Sequence, residues 1–353
     1  MGKLKLGFIG VGGIAQSRHL PNFSKLIDKV DIVGVCDTNQ EVLHDVTDRY
    51  EIPYAFTDYQ ELLPLVDAVV ICTPNKFHKE IAITALKSDV HVLCEKPLAI
   101  CHSDGKEMVE AAESSGKTLM VAHHYRFMKD VQAAKRLIEK KEIGDPLVIR
   151  IQAMRRRKVP GWGVFTNKEL QGGGSLIDYG SHYLDTALWL LDHPSPQEVV
   201  GTTYNRLSTS KEQVNQWGAF DASRFDVDDH VTAYIRFENN ISFLFETSWA
   251  ANISEDRQVL EVSGTNGGLS LFPLQMNYGR DGMLINSHAE WIAGEDQEAK
   301  SQALHFIDLC TLPKAQPIVT LENTLMTNQL IDAIYESSRN EKSVNLEHTT
   351  TRL

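Results

Sequence analysis

The first half of the chain alternates between two kinds of segment, and this alternation restricts its fold more than any other feature. Lys5–Ile9, Asp31–Cys36, Ala68–Cys72, His91–Cys94 and Thr118–Ala122 are short runs rich in Val, Ile and Leu. The stretches between them repeat apolar residues at helical spacing, most clearly Lys76–Ser88 and Ser103–Ser115. Strands apolar on both faces and separated by helices predict a parallel sheet covered on two sides. Ser103, followed by Lys106 and Glu107, reads as a capped helix start, and Gly116 as its stop. This α/β domain is expected to span residues 1–122.

Residues 123–353 follow another pattern. A helix is expected over Lys129–Glu142, closed by Gly144 and Pro146, and then an alternating strand over Leu147–Met154. A loop rich in glycine and aromatics, Pro160–Phe165, leads to Gly172-Gly173-Gly174 and a strongly periodic helix over Leu176–Leu191. Strand-like runs succeed one another at Val199–Tyr204, His230–Phe237, Ile241–Trp249, Gln258–Ser263 and Leu269–Leu271, with Asn239-Asn240 and Asn266-Gly267 as turns. Successive hairpins imply a large, mostly antiparallel open sheet, so this half is α+β. Helices around Gln297–Leu309 and Glu322–Arg339 finish it. An open sheet with an uncovered face predicts a homo-oligomer.

Composition narrows the partners. With 47 acidic against 35 basic residues the formal charge is −12, which argues against nucleic acid and against an anionic membrane surface. No apolar run is long enough to span a bilayer. Met1-Gly2-Lys3-Leu4-Lys5 runs directly into the first strand and leaves no room there for a signal peptide. The five cysteines form no CxxC pair and mostly end apolar strands, as reduced core thiols of a cytoplasmic protein do. No cysteine and histidine cluster has metal-ligand spacing, so no metal is expected.

Three motifs carry chemistry. Gly10-Val11-Gly12-Gly13-Ile14-Ala15 reads G-x-G-x-x-A between a strand and a helix, and Asp37 ends the second strand. Gly10 permits a tight turn, and Gly12 lets backbone approach a pyrophosphate at a helix N-terminus. Ala15 allows close helix–strand packing. Gly10, Gly12, Gly13 and Ile14 are therefore expected to bind a dinucleotide. Asp37 would accept hydrogen bonds from the ribose hydroxyls and repel a 2′-phosphate, which favours NAD over NADP. Thr73, Pro74, Asn75 and His78 follow another strand end and are expected beside the nicotinamide ribose, with a helix cap as the alternative for Asn75. Glu95 and Lys96 lie at the next strand end, where such sheets bind ligands. Farther on, Asp178 and His182 stand four apart and share a helix face. His182 suits a base for a hydroxyl proton, Asp178 can orient it, and Lys96 can hold the substrate oxygen or join the proton relay. Of Arg155–Lys158, alternating on a strand, at most two can face a substrate, and Arg155 is the candidate. His124 and Arg126 are candidates for substrate contact or for structural hydrogen bonds, and Trp162 for a pocket wall or for the core.

The glycine loop, Thr73-Pro74-Asn75 with His78, Glu95-Lys96-Pro97, and Gly173-Gly174-Ser175-Leu176-Ile177-Asp178 with Gly180, His182 and Asp185 resemble the glucose-fructose oxidoreductase/inositol dehydrogenase (Gfo/Idh/MocA) family over nearly the whole chain. The resemblance implies a Rossmann domain followed by an α/β domain with a large open sheet, in a homodimer or homotetramer. It also implies Lys96, Asp178 and His182 as the catalytic trio and a sugar or polyol as substrate. Arg155–Arg157 and the Pro160–Gly174 run are most similar to the D-glucoside 3-dehydrogenase branch, which implies oxidation of a sugar's C3 hydroxyl by NAD. Ser175 departs from the proline of that pattern, and Tyr179 and Tyr183 are larger and more polar than it leads one to expect. Two rival readings remain at this level. One is an NAD-binding sensor, which would lack Lys96 or His182. The other is an NAD-dependent glycosidase using transient C3 oxidation.

Overall fold

The computed structural model describes residues 2–210 and 213–346. They form two compact units, one of residues 2–127 with Glu295–Leu325 and one of Met128–Gly294 with residues 326–346.

The first unit is the parallel sheet read from the sequence. Its strands are β1 (Leu4–Ile9), β2 (Val30–Cys36), β3 (Tyr54–Phe56), β4 (Ala68–Ile71), β5 (His91–Cys94) and β6 (Leu119–Val121), in the order β3-β2-β1-β4-β5-β6. All five pairings are parallel. The order reverses beside β1, so the β1 and β4 ends open side by side at the switch point where such sheets bind ligands. β4 is buried at every position, as a strand covered on both faces must be. Edge strand β3 escaped the sequence reading because Tyr-Ala-Phe is too short to show a period. The helix after β5 runs His102–Ser115 and stops at Gly116 (φ 66°) as expected. Its start differs: Cys101 takes the cap position without a side-chain cap, and Ser103 lies inside the helix.

The expected boundary at residue 122 also differs from the structure. The chain leaves this unit after Phe127 and returns over Glu295–Leu325. The returning helix, Glu298–Thr311, buries Ala303, Phe306 and Ile307 in the same core as Phe8, Phe23 and Phe127. An amphipathic helix announces its apolar face in sequence but not which sheet it will cover.

The second unit is built on a nine-stranded sheet. Its strands are β7 (Pro146–Met154), β8 (Pro196–Tyr204), β9 (His230–Phe237), β10 (Ser242–Ser248), β11 (Arg257–Gly264), β12 (Gly267–Leu271), β13 (Gln275–Arg280), β14 (Met283–His288) and β15 (Val344–Asn345). The order is β14-β13-β12-β11-β7-β10-β9-β8-β15, antiparallel except where β7 pairs with β10. Asn239 and Asn240 both take φ 61° at the β9–β10 turn, the left-handed conformation for which asparagine is suited. β13, β14 and β15 were not read as separate strands; their residues are mostly partly exposed, so they lack the apolar pattern that betrays a buried strand.

Among the described residues no helix is long and apolar enough to cross a membrane. The five cysteines are free thiols. Burial, with nearby carboxylates, pushes Cys36 up to about 12, and burial pushes Cys72 and Cys94 well above the ordinary thiol value, which leaves them inert.

Candidate functional site

In the first unit the chemistry-bearing residues gather at the ends of β1, β2, β4 and β5. Gly10 (φ 82°) bends the chain after β1 so closely against β4 that a Cβ would lie 2.8 Å from the Cys72 carbonyl carbon and the Thr73 nitrogen. Helix begins at Gly13 and passes through a wide π turn over Ala15–His19. A Cβ built on Gly12 or Gly13 meets nothing within 4 Å, and Ile14 is 40 % exposed. A crowded first glycine and open later ones fit a pyrophosphate resting on the helix N-terminus.

Asp37 does more than the sequence suggested. Its Oδ2 accepts from the Val11 N–H at 2.8 Å and its Oδ1 from the Asn39 N–H at 2.9 Å. The carboxylate therefore ties the glycine loop to the end of β2 while remaining half-buried. Thr73 carries a buried hydroxyl with no hydrogen-bond partner, an orphan that a cofactor ribose or amide would satisfy. These features together fit NAD.

Other expected contacts belong to the scaffold. His78 is 1 % exposed, with Nδ1 2.9 Å from the Pro97 carbonyl oxygen and Nε2 3.0 Å from that of Thr73. Burial holds its pKa below the ordinary value against the pull of both carbonyls, so the imidazole is neutral and donates to one of them. It braces the two loops from within and is not open to a ribose. Glu95 likewise turns inward: its Oε1 meets His19 Nε2 at 2.6 Å and its Oε2 accepts the Lys96 N–H at 3.1 Å. Burial alone would raise its pKa, but the His19 hydrogen bond and charge, with Lys96, bring it down to about 2. Asn75 is buried and opens a short turn over Asn75–Phe77 that leads into the helix His78–Lys87. Arg126 is fully buried, and its Nη1 donates to the Ile318 carbonyl at 3.1 Å, which makes it a packing residue and not a substrate contact. His124 is half-buried and neutral, its pKa pushed down to about 3 by burial and by the Arg18 charge. Lys96 stands apart from these. Of residues 92–99 it alone reaches the surface, and every neighbour is buried.

The second unit shows the same arrangement around the other two residues. From Gly173 through Leu188 every residue is buried except Asp178 and His182. The segment that carries them starts with a π turn over Leu176–Gly180 before the α-helix Ser181–Leu190. Such wide turns recur where a side chain must be re-aimed. Asp178 Oδ2 accepts from the Trp249 indole N–H at 3.0 Å and pairs with Arg155 Nη1 at 3.6 Å. Trp249, fully buried just past β10, carried no sequence signal beyond an apolar strand end. Tyr179 and Tyr183 are buried and pack edge to face at 5.4 Å, with Gln258 donating to the Tyr179 hydroxyl.

The start of this helix is fixed by one residue that sequence reasoning missed. Asp228 Oδ1 accepts from the Gly174 N–H at 2.7 Å and the Tyr335 hydroxyl at 2.6 Å. Its Oδ2 accepts from the Ser175 hydroxyl and the Leu176 N–H, both at 2.9 Å. The chain passes so close that a Cβ on Gly174 would lie 1.9 Å from the Asp228 carbonyl oxygen. The last of the three glycines, Gly174, is thus required by backbone packing inside the unit. Asp228 directly precedes Asp229 and a strand, and its only local hint was an acidic pair.

Of Arg155–Lys158, Arg156 donates to the Ser254 carbonyl, Arg157 to the Leu207 carbonyl and Asn252, and Lys158 pairs with Asp256. Arg155 alone turns to Asp178, stacking its guanidinium on Tyr179 at 4.0 Å and on Trp217 at 4.8 Å. Trp162 is 53 % exposed and lies 5.3 Å from Trp217, outside the core.

Residues 4–123 match the family described as an oxidoreductase family with an NAD-binding Rossmann fold, and residues 131–270 match its GFO/IDH/MocA C-terminal domain. The D-glucoside 3-dehydrogenase of Escherichia coli (strain K12) is 33 % identical over 97 % of both chains. The levoglucosan dehydrogenase of Pseudarthrobacter phenanthrenivorans is 29 % identical, covering 76 % of this chain and 73 % of its own. Among solved structures, an oxidoreductase domain protein from Kribbella flavida superposes with a TM-score of 0.84 over 98 % of this chain and 99 % of that one, at 21 % identity.

Proposed function

The chain belongs to the Gfo/Idh/MocA family of NAD-binding oxidoreductases, and from that premise we propose that it oxidises the C3 hydroxyl of a glucoside. The observation that carries this reading is the pattern of exposure. Lys96 alone among residues 92–99 in one unit, and Asp178 and His182 alone among residues 173–188 in the other, are not buried. A fold that conceals every neighbour yet leaves a lysine, an aspartate and a histidine accessible retains them for chemistry.

NAD, when bound, supplies the hydride acceptor. The protein's own residues handle the oxygen and its proton. The Lys96 ammonium holds the substrate hydroxyl and stabilises the alkoxide character that grows as the C–H bond weakens. His182 takes the hydroxyl proton at a ring nitrogen, an exchange suited to imidazole near neutral pH. Asp178 supplies negative charge beside the imidazolium, and Trp249 and Arg155 hold that carboxylate in one orientation. Asp37 at the end of β2 favours NAD by repelling a 2′-phosphate. The resemblance to sugar dehydrogenases supports a sugar substrate, and the 33 % identity to a D-glucoside 3-dehydrogenase over the full chain supports the C3 position. We place the enzyme in the cytoplasm as a homodimer or homotetramer, a reading supported by its reduced thiols and by exposed Val200, Tyr234 and Leu244 on the nine-stranded sheet.

The test is a panel of glucosides, free sugars and inositols assayed by NADH appearance, with the product of the best substrate located by NMR. A 3-keto glucoside is the expected product. NADH formed from inositol alone, or a ketone at another carbon, overturns the proposal.

A further inference from the structure

Beside Asp178 the second unit builds a cluster of side chains that the oxidation step does not use. The loop carrying Trp217 is stitched to the segment after β7. Gln216 N–H donates to the Arg157 carbonyl at 2.7 Å and its side chain to the Arg156 carbonyl at 2.6 Å. Asn215 exchanges two hydrogen bonds with Val159, at 2.8 and 2.9 Å, and donates a third to the Gly218 carbonyl. So fastened, Trp217 meets Trp162 at 5.3 Å with the rings tilted by 47°, and Trp162 sets its edge against Phe165 at 6.2 Å. Both indoles remain open, Trp162 at 53 % and Trp217 at 39 % exposure. Rigidly held aromatic faces open to solvent represent apolar surface that the fold had the means to bury and did not.

The cluster is continuous with the candidate catalytic surface through one residue. Arg155 stacks on Trp217 at 4.8 Å and reaches Asp178 at 3.6 Å. The guanidinium spends two of its faces on rings, on Trp217 and on Tyr179, and keeps edge N–H groups that only donate. Indole faces beside a fixed donor fork match a ring that is apolar on its faces and carries oxygen acceptors on its rim. A sugar ring has that form, and an aryl ring joined through a glycosidic oxygen shares it in part. The ring being oxidised must meet Asp178 and His182, so the ring on the tryptophans is its neighbour across the glycosidic bond.

We infer that Trp162, Trp217 and Arg155 form a subsite for a ring-shaped aglycone, making the substrate a glucoside whose second half is itself a sugar or aryl ring. This rests on the glucoside reading above, and the experiment separates the two.

The probes are methyl β-D-glucoside, cellobiose and phenyl β-D-glucoside, and the variants are W217A, W162A and W217F. Calorimetric titration of the NADH-loaded protein, which cannot oxidise an alcohol, reads binding without turnover. The wild type should bind the two ring glucosides at least tenfold tighter than methyl glucoside. W217A and W162A should each collapse that ratio toward one, and W217F should restore part of it. A larger effect on cellobiose than on phenyl glucoside identifies a second sugar as the natural aglycone, and the reverse identifies an aryl group. Equal affinity for all three glucosides in the wild type, or a ratio unchanged in both alanine variants, overturns the subsite. Turnover of glucosides without such discrimination leaves the C3 reading standing and removes the subsite. A discriminating titration with no turnover of any glucoside does the opposite.

Discussion

Lys96 and the Asp178/His182 pair are presented in the same way but anchored by different physics. At the end of β5, the backbone around Lys96 is held by a buried hydrogen bond between Glu95 and His19, with the neutral His78 bracing the adjoining loop. At the start of the Asp178 helix, one carboxylate gathers four hydrogen-bond donors from three consecutive residues and from Tyr335. The first anchor joins Glu95, beside Lys96, to His19, 76 residues earlier in the sequence. The second reaches across more than fifty residues of sequence, from Asp228 to Gly174. In the first unit a Cβ at Gly12 or Gly13 meets nothing within 4 Å, space that the proposed cofactor reading assigns to a pyrophosphate. The second tolerates no added atom, because its space is filled by protein.

That contrast is open to test by mutation, and the largest effect should come from the crowded anchor. G174A must move the Asp228 carbonyl by more than an ångström, so the variant should lose several kcal/mol of stability or fail to fold. Thermal unfolding within about 1 kcal/mol of wild type would show that the Asp228 anchor yields easily.

Replacing Lys96 by Met comes next. It removes a donor and none of the anchor, so turnover should drop on the order of 10²–10³-fold with NADH affinity largely kept. A variant retaining more than about a tenth of wild-type rate would contradict the role, whereas loss of NADH binding would make Lys96 structural.

The open anchor gives the complementary result. G12A adds a Cβ where no protein atom lies within 4 Å, so the fold should be unharmed. The same methyl should meet the pyrophosphate and weaken NADH by roughly tenfold or more, about 1.4 kcal/mol. Unchanged NADH affinity measured by fluorescence titration would remove this loop from the cofactor.

The smallest effect concerns Asp229, fully buried beside the anchor. Burial, opposed by the hydrogen bond from the Ser208 N–H and reinforced by the Asp228 charge, lifts its pKa from 3.8 to about 6. An acid that holds its proton more firmly when folded destabilises the protein as it ionises, so stability falls as pH climbs from near 4 through about 6. D229N, which keeps an acceptor for Ser208, should be more stable than wild type by on the order of 1 kcal/mol above neutrality, and equal to it at pH 4. Denaturant melts at the two pH values check this, and a variant less stable at both would mean that the ionised group is what the fold needs.

The same contrast explains what the sequence disclosed. The parallel strands, the glycine loop, Asp37, Lys96 and the Asp178/His182 pair were legible because each signal lies within a few residues, in a period or a spacing. Asp228, Trp249 and Trp217 were not, because each acts through a partner brought near only by the folded chain. Glu95, His78 and Arg126 were read as ligand contacts because they adjoin the motifs. Polarity in sequence does not reveal whether a side chain turns inward, and these three bond inward to His19, to Thr73 and Pro97, and to Ile318. The exposures of Lys96, Asp178 and His182 are likewise properties of the packed chain.

The return of residues 295–325 to the first unit has a consequence for how the molecule is made. Domains commonly fold in the order in which they leave the ribosome, amino-terminal first. Here the parallel sheet is synthesised first, yet Phe306 and Ile307, which complete its core, follow only after residues 128–294 of the second unit. Until the returning helix is made, the nascent sheet should expose the apolar surface around Phe23 that this helix covers in the folded unit. The same dependence means that a fragment ending at Phe127 should be aggregation-prone, and that the cofactor-binding half cannot be excised by a single cut.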